Sequence, residues 1–199
     1  MIDNGNILFS GVGGQGILLA SELTALGLLA AGFDVKKSEV HGMAQRGGSV
    51  TAQLRYGKKV YSPLIEPACA DIQVAFEMME AVRYLPLLHA GSKVVVNTQK
   101  ILPPAVATGQ TVYPDNILDK LTERKIVIIP VDAFEIAKSV GEVRTANVAM
   151  VGALSGLLPV DPKIFEEVIE KRVPQRFREV NMQAFQAGRK LSLKDGGKK

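Results

Sequence analysis

The chain has very little cysteine and no tryptophan: Cys69 is its only cysteine in 199 residues, and aromatic residues make up 6%. A single cysteine excludes an internal disulfide. Because an iron–sulfur cluster is held by about four protein ligands, usually thiolates, this chain alone cannot ligate one. Few aromatic residues lie near basic runs, so a nucleic-acid-binding surface is not expected.

Long hydrophobic runs are also missing, and no leader sequence is expected. The apolar stretches ILLASELTALGLLAAG and NVAMVGALSGLLPV are interrupted by small or polar residues and are shorter than the roughly 20 residues that span a bilayer. They therefore predict buried helices, with no membrane contact. The first residues show no basic segment followed by an apolar run, so a cytoplasmic location is expected.

Charge is only mildly positive, with 24 Lys and Arg against 20 Asp and Glu, and the densest basic cluster is the C-terminal LKDGGKK. Hydrophobic residues make up 47% of the chain, which is enough to bury a sizeable core. We expect a single domain over residues 1–191 and a disordered basic tail over residues 192–199.

Alternating strand and helix patterns predict an α/β fold with a three-layer, Rossmann-like, mostly parallel sheet. NILFS is a predicted strand, residues 15–31 a helix that ends at Gly32, and FDVKKSEV the next strand. Residues 50–56 alternate in polarity and are expected to form an inserted β-hairpin with VYSPLI. Further strands are predicted at ADIQVAFE, KVVVNTQ and KIVIIPV, and a helix at MMEAVRYLPLLHAG, stopped by Gly91. The last third is predicted to be helical, with one helix starting at Asp161 and Pro162.

The segment GVGGQG after the first strand contains glycines at the spacing of a dinucleotide-binding turn, Gly11, Gly13 and Gly16, with Gly14 and Gln15 between them. Free N–H groups at the start of the following helix favour an anion, which indicates a phosphate site. The alternative is that the glycines only permit a sharp turn and close helix packing. Spacing alone leaves both interpretations open.

A dinucleotide site also needs an acidic residue at the end of the second strand, about 20 residues further on. Asp34 comes early for this role and Glu39 late, and Lys36 and Lys37 lie between them. These lysines could attract a 2′-phosphate, so a stand-alone NADP-binding oxidoreductase is one hypothesis. The short chain speaks against it, because it leaves no room for a substrate domain.

The segment SEVHGMAQRGGSV places polar residues and paired glycines between two predicted strands: His41, Gln45, Arg46, Gly47 and Gly48. Arg46 can present a planar fork to a carboxylate or phosphate, and the adjacent glycines leave room for a ligand. The structural alternative is that Gly47 and Gly48 form a β-bulge at the start of the hairpin and that Arg46 pairs with a neighbouring carboxylate such as Glu39. We favour ligand contact for Arg46, and a structural hydrogen bond over proton transfer for His41.

Together, GVGGQG, SEVHGMAQRGGSV and TANVAMVGAL resemble the small (beta- or gamma-type) subunit of 2-oxoacid:ferredoxin oxidoreductases. HGMAQRGG resembles most the beta subunit of the indolepyruvate ferredoxin oxidoreductases. The resemblance covers nearly the whole chain. It implies a heteromeric complex that oxidatively decarboxylates an arylpyruvate to an aryl-acetyl-CoA and reduces ferredoxin.

The resemblance further implies that a larger partner subunit holds thiamine diphosphate, magnesium and 4Fe-4S clusters. This chain would have no cofactor, metal or catalytic residue of its own and would be inactive alone. The glycine segment, together with His41 and residues 45–48, would form a wall of the active site that contacts coenzyme A, the 2-oxoacid or the partner. Asn147 and Gly152 would pack their helix beneath the glycine turn. A purely structural scaffold is the remaining alternative, and the isolated chain could form a homodimer.

Overall fold

The computed structural model describes residues 4–41 and 48–195 and contains a six-stranded sheet in the order β2-β3-β1-β4-β5-β6. The strands are β1 (Gly5–Val12), β2 (Asp34–His41), β3 (Ser49–Gly57), β4 (Ala70–Ala75), β5 (Leu88–Asn97) and β6 (Val127–Val131). β1, β4, β5 and β6 are parallel neighbours, whereas β3 is antiparallel to both β1 and β2. The predicted α/β class and mostly parallel sheet are confirmed.

Helices cover both faces of the sheet. They are α1 (Ile17–Ala30), α2 (Met78–Arg83), α3 (Pro104–Ala107), α4 (Ile117–Glu123), α5 (Ala133–Ser139), α6 (Ala146–Ser155), α7 (Pro162–Arg172) and α8 (Arg178–Asp195). One apolar core joins the sheet to α1, α6, α7 and α8, and a second joins the opposite face to α2 and α4. Successive strand residues face opposite sides, so Ile7 and Phe9 enter the first core and Leu8 the second.

The end of α1 and the start of α7 follow the sequence closely. Gly32 has φ +90° and the Phe33 N–H donates to the Leu28 carbonyl (3.1 Å), which is the glycine-terminated helix end that was predicted. The side chain of Asp161 accepts a hydrogen bond from the backbone of Lys163 (2.9 Å), with Pro162 in the first turn. Both predicted boundaries are confirmed.

The partner predicted for β3 is wrong. β3 pairs with β2 and β1, and residues 58–69 contain no strand. Side chains hold this segment in place of a strand ladder: Asp34 accepts from the Val60 N–H (2.9 Å), and Gln53 accepts from the Ile65 N–H (2.6 Å). β3 is therefore the antiparallel partner of β2, and in the sheet it lies between β2 and β1.

The helix predicted to run to Gly91 is also too long. α2 ends at Arg83, a 3-10 turn follows at Leu85–Leu87, and β5 begins at Leu88. Pro86 has no N–H to continue an α-helix, which explains the early end. Gly91 lies inside β5 with φ +93° and its N–H donates to the Lys125 carbonyl (2.9 Å).

In the C-terminal third, α6 and α8 approach until their backbones touch. A Cβ at Gly152 would overlap the Phe185 carbonyl, and a Cβ at Gly188 would overlap that of Ala149. α8 continues to Asp195 and Ser192 is buried. The tail predicted from residue 192 thus begins within a helix, and residues 196–199 lie outside the described part of the chain. No helix among the described residues is long and apolar enough to cross a membrane.

Candidate functional site

The segment of residues 11–16, called the glycine loop below, connects the carboxyl end of β1 to α1. A Cβ at Gly11 would lie 2.8 Å from the Cβ of Phe76, so packing against the end of β4 requires glycine there. Gly14 has φ +103° and Gly16 has φ +78°, a region that side chains rarely adopt. Gly16 caps α1 without any side-chain hydrogen bond to the helix N-terminus.

Gln15 fixes the glycine loop to the neighbouring strand. Its Oε1 accepts from the Val12 N–H (2.8 Å), and its Nε2 donates to the Phe76 carbonyl (2.7 Å). Asn97, at the end of β5, donates to the same carbonyl from Nδ2 (3.0 Å). The carboxyl ends of β1, β4 and β5 are thereby joined through amide side chains.

Asn147 and Gly152 lie on α6 but have different neighbours. Asn147 is 6% exposed, and a Cβ at Gly16 would overlap its amide, so this residue packs against the glycine loop. Its Oδ1 is buried and has no hydrogen-bond partner in the described part of the chain. Gly152 does permit close helix contact, but its contact is with α8 and not with the glycine loop.

A cavity of about 430 Å³ opens beside the glycine loop. Amide side chains contribute polar atoms, and apolar walls come from Leu19, Phe76, Phe134 and Val143. The amides are Gln15, Asn97, Gln99 and Asn147. Among the described residues that line the cavity, Arg144 is the one charged side chain. The site therefore combines a helix N-terminus, hydrogen-bonding amides, aromatic rings and one cation.

Arg144 stands at the edge of this cavity with a side chain that is 72% exposed. Its Nη2 lies 2.6 Å from Oε2 of Glu142, and its guanidinium carbon lies 4.9 Å from the ring centre of Phe177. The hydrogen bonds from Arg144 lower the pKa of Glu142 to about 2. Sequence reasoning missed Arg144, although it directly precedes TANVAMVGAL.

Gln99 and Asn97 were also missed as site residues, since KVVVNTQ was interpreted only as a strand. The single available signal was the position of these amides at the end of a parallel strand, where ligands bind in open α/β sheets.

The predicted segment SEVHGMAQRGGSV contacts the glycine loop through Gly48. The Gly13 N–H donates to the Gly48 carbonyl (2.8 Å), and the following Ser49 Oγ donates to the buried carboxylate of Glu80 (2.8 Å). Gln45, Arg46 and Gly47 lie outside the described residues, as does the side chain of His41. Their roles stay predictions.

The arrangement expected of an NADP site is not formed by Lys36 and Lys37. Through their shared pairing with β3, these lysines are level with Asn6 and Ile7 at the far end of β1. At about 3.3 Å per residue, that is roughly 13–17 Å along the strand from Gly11. Lys36 pairs with Asp34 (3.2 Å) and Lys37 with Glu39 (2.5 Å). The NADP hypothesis loses its main support.

A larger hollow, of about 770 Å³, lies at the opposite end of the sheet. Its lining includes Arg55, Lys58, Lys59 and Tyr61, and none of the predicted site residues. Nor do the described residues contain a group of three or more His, Cys, Asp or Glu side chains able to hold a metal ion. The cavity at the glycine loop is therefore the candidate site.

Residues 6–191 match the family model described as pyruvate ferredoxin/flavodoxin oxidoreductase. The indolepyruvate oxidoreductase subunit IorB of Archaeoglobus fulgidus is 41% identical over 187 residues, covering 92% of each chain. The Thermococcus kodakarensis protein of the same name is 40% identical over 196 residues, covering 94% of this chain and 95% of its own.

Two solved structures share the fold. The gamma subunit of a keto/oxoacid ferredoxin oxidoreductase from Geobacter sulfurreducens has a TM-score of 0.72 at 23% identity, covering 96% of this chain and 99% of its own. The 2-oxoglutarate:ferredoxin oxidoreductase of Magnetococcus marinus, solved with 2-oxoglutarate, coenzyme A and succinyl-CoA, has a TM-score of 0.77 at 20% identity. That alignment covers 98% of this chain and 32% of the other.

Proposed function

Because this chain belongs to the pyruvate ferredoxin/flavodoxin oxidoreductase family, we propose that it is the small subunit of a thiamine-dependent, iron–sulfur 2-oxoacid:ferredoxin oxidoreductase. The substrate is indolepyruvate or another arylpyruvate, in agreement with the names of its 40–41% identical relatives. The complex would convert the arylpyruvate and coenzyme A to an aryl-acetyl-CoA and carbon dioxide, and pass the electrons to ferredoxin in the cytoplasm.

The observation that carries this proposal is the cavity at the glycine loop. The uncapped N-terminus of α1 favours phosphate groups. The exposed guanidinium of Arg144 is paired with Glu142 but has further N–H groups that can donate to a phosphate. Nothing lies within 4 Å of a Cβ built at Gly14, so the turn is open to an approaching ligand. The amides and aromatic rings of the remaining wall suit the pantetheine arm. The cavity thus has the chemistry to bind coenzyme A.

The remaining cofactors are assigned to a larger partner subunit. Cys69 is the only cysteine of this chain, and a 4Fe-4S cluster takes about four ligands, which supports assigning the clusters to the partner. The partner would supply thiamine diphosphate and magnesium, which carry out the decarboxylation when bound. The role of this chain is then to bind coenzyme A, orient it and close one wall of the active site.

Arg46 and its adjacent glycines are proposed to belong to the same wall. The proposal is supported by Gly48, which follows Arg46 and Gly47 in the sequence and accepts a hydrogen bond from the Gly13 N–H (2.8 Å). Arg46→Ala in the assembled complex should raise the apparent KM for coenzyme A or for the 2-oxoacid, because a charged fork is lost. Unchanged kinetics would favour the scaffold alternative, in which these loops contact only the partner protein.

The test of the function is a substrate comparison with the purified complex. Ferredoxin reduction is measured under anaerobic conditions with indolepyruvate, phenylpyruvate, pyruvate and 2-oxoglutarate, each with and without coenzyme A. We expect the aryl substrates to have a kcat/KM at least about tenfold higher, since such a preference needs only ~1.4 kcal/mol. A complex that reduces ferredoxin with none of these acids would contradict the proposal.

A further inference from the structure

Three amide side chains meet at the cavity: Gln15, Asn97 and Gln99, called the amide cluster below. Backbone partners fix the orientation of the first two. Gln15 accepts from the Val12 N–H (2.8 Å) through Oε1 and donates to the Phe76 carbonyl (2.7 Å) through Nε2. A backbone N–H can only donate and a carbonyl can only accept, so the oxygen and nitrogen of this amide cannot be exchanged.

Asn97 is oriented in the same way. It is 3% exposed; its Nδ2 donates to the Phe76 carbonyl (3.0 Å), and its Oδ1 accepts from the Ala133 N–H (3.3 Å). The Gln99 N–H also donates to this Oδ1 (3.4 Å). The amide groups of Gln15 and Asn97 are therefore both fixed by the backbone around them.

The orientation of Gln99 follows from these two neighbours. Its Oε1 lies 3.5 Å from Nε2 of Gln15 and 3.4 Å from Nδ2 of Asn97, so the oxygen faces two donors. Its Nε2 has no hydrogen-bond partner among residues 4–41 and 48–195, and the half-buried side chain lines the cavity. An amide NH₂ carries two donors, and neither has a partner in the described part of the chain.

The backbone on either side of the Gln99 side chain is also hydrogen-bonded. Its carbonyl accepts from the Met78 N–H (3.2 Å), and the Ile101 N–H donates to the buried carboxylate of Glu77 (3.1 Å). A donor held in place before the ligand arrives costs little entropy on binding.

We propose that Gln99 is a ligand-binding residue that donates from Nε2 to an acceptor oxygen of coenzyme A, on a phosphate or on a carbonyl of the pantetheine arm. The inference rests on the proposed function and deepens it by naming a specificity-determining contact. Gln15 and Asn97 act as positioning residues, because they set which end of the Gln99 amide is presented to the cavity.

The test uses the assembled complex with two variants of this position. Gln99→Glu keeps an oxygen for Gln15 and Asn97 but replaces the donor by a second oxygen, whereas Gln99→Met removes the donor without adding charge. Coenzyme A affinity is measured by calorimetry without 2-oxoacid, and kcat and KM are measured with it. Gln110→Glu, at an exposed position outside the cavity, controls for the added charge.

We expect Gln99→Met to weaken coenzyme A binding about five- to tenfold and Gln99→Glu more than about tenfold, with Tm close to wild type, whereas Gln110→Glu should keep wild-type affinity and kcat. Loss of affinity for 3′,5′-ADP would assign the contact to a phosphate, and loss for pantetheine would assign it to a carbonyl. Wild-type affinity in both Gln99 variants would overturn the inference alone. A wild-type complex that does not bind coenzyme A would overturn it together with the proposed function.

Discussion

At the scale of single residues, glycine is required at each of three positions of the glycine loop for a different physical reason. Gly11 is required because a side chain would meet Phe76, and Gly16 because it would meet Asn147. Gly14 has open space around it, so only its φ of +103° requires glycine. Because Gly14 also lines the cavity, its missing side chain would let a ligand approach the backbone closely.

Gly14→Ala tests this interpretation. The left-handed backbone should cost about 1–2 kcal/mol of unfolding free energy, and the added methyl group should weaken coenzyme A binding by the complex. Gly109→Ala is the matched control, because Gly109 also has a positive φ (+76°) and no atom within 4 Å of a Cβ. Both variants should be destabilised in urea unfolding. Equal coenzyme A affinities in the two would contradict a ligand at Gly14.

The hydroxyl of Tyr56 should make the free energy of unfolding depend on pH in the alkaline range. Burial, assisted by the Asp71 carboxylate, raises the pKa of Tyr56 to about 12. A group with a raised pKa stabilises the fold fully below its unfolded value of about 10, and the contribution is lost as the pH rises through the folded value. The free energy of unfolding should therefore fall between about pH 10 and about pH 12.

Tyr56→Phe removes the ionisable hydroxyl but keeps the ring that contacts Phe33 (5.2 Å between centres). Urea unfolding at about pH 8 and about pH 11 should show a smaller alkaline loss in this variant than in the wild type. Tyr61→Phe, at a side chain that is 89% exposed, serves as the control. Identical alkaline losses in the wild type and Tyr56→Phe would show that this hydroxyl does not contribute.

The distribution of site residues along the chain explains which of them sequence reasoning could find. Gly11, Gly13 and Gly16 form a spaced motif, so their turn was visible. Arg144 and Gln99 lie far from it in sequence and reach the same cavity only through the order of the strands and helices. A single Arg or Gln outside a sequence motif cannot be recognised as a site residue from the sequence pattern.

At the scale of elements, alternation predicted the strands but not their neighbours. Val50, Ala52, Leu54 and Tyr56 are buried as expected. The alternation of buried and exposed side chains does not indicate that β3 lies between β1 and β2, because a strand has the same two-residue period whichever strand it pairs with. The glycine loop could be predicted because its signal is local, whereas the partner of β3 depends on contacts distant in sequence.

The contact between α6 and α8 gives a prediction for an element. Gly152→Ala should lower the free energy of unfolding by about 1–3 kcal/mol, despite the better helix propensity of alanine, because its Cβ would overlap the Phe185 carbonyl. Thermal unfolding measures the effect, and Lys190→Ala on the exposed face of α8 should change stability by less than about 0.5 kcal/mol. A Gly152→Ala variant as stable as the wild type would show that the two backbones can separate without cost.

At the scale of the whole molecule, the candidate site is open and incomplete. Phe134 and Val143, on its rim, are 42% and 53% exposed, an apolar surface that a partner or ligand would cover. Because the chain has a single cysteine and a cluster takes about four ligands, we expect the redox centres of the proposed reaction in another subunit. The isolated chain is accordingly expected to show no oxidoreductase activity. In the absence of the partner, two copies of the chain could cover this apolar surface by forming a homodimer.

Recovery of the tagged chain from its native cells under anaerobic conditions tests whether it is a subunit of a larger thiamine-dependent complex. The proteins that elute with it are identified, and iron and thiamine diphosphate are measured in the same fraction. We expect a larger, cysteine-rich subunit that elutes with the chain and carries both cofactors. A chain that elutes alone, without iron or thiamine diphosphate and with a bound NADP-type dinucleotide, would contradict this expectation.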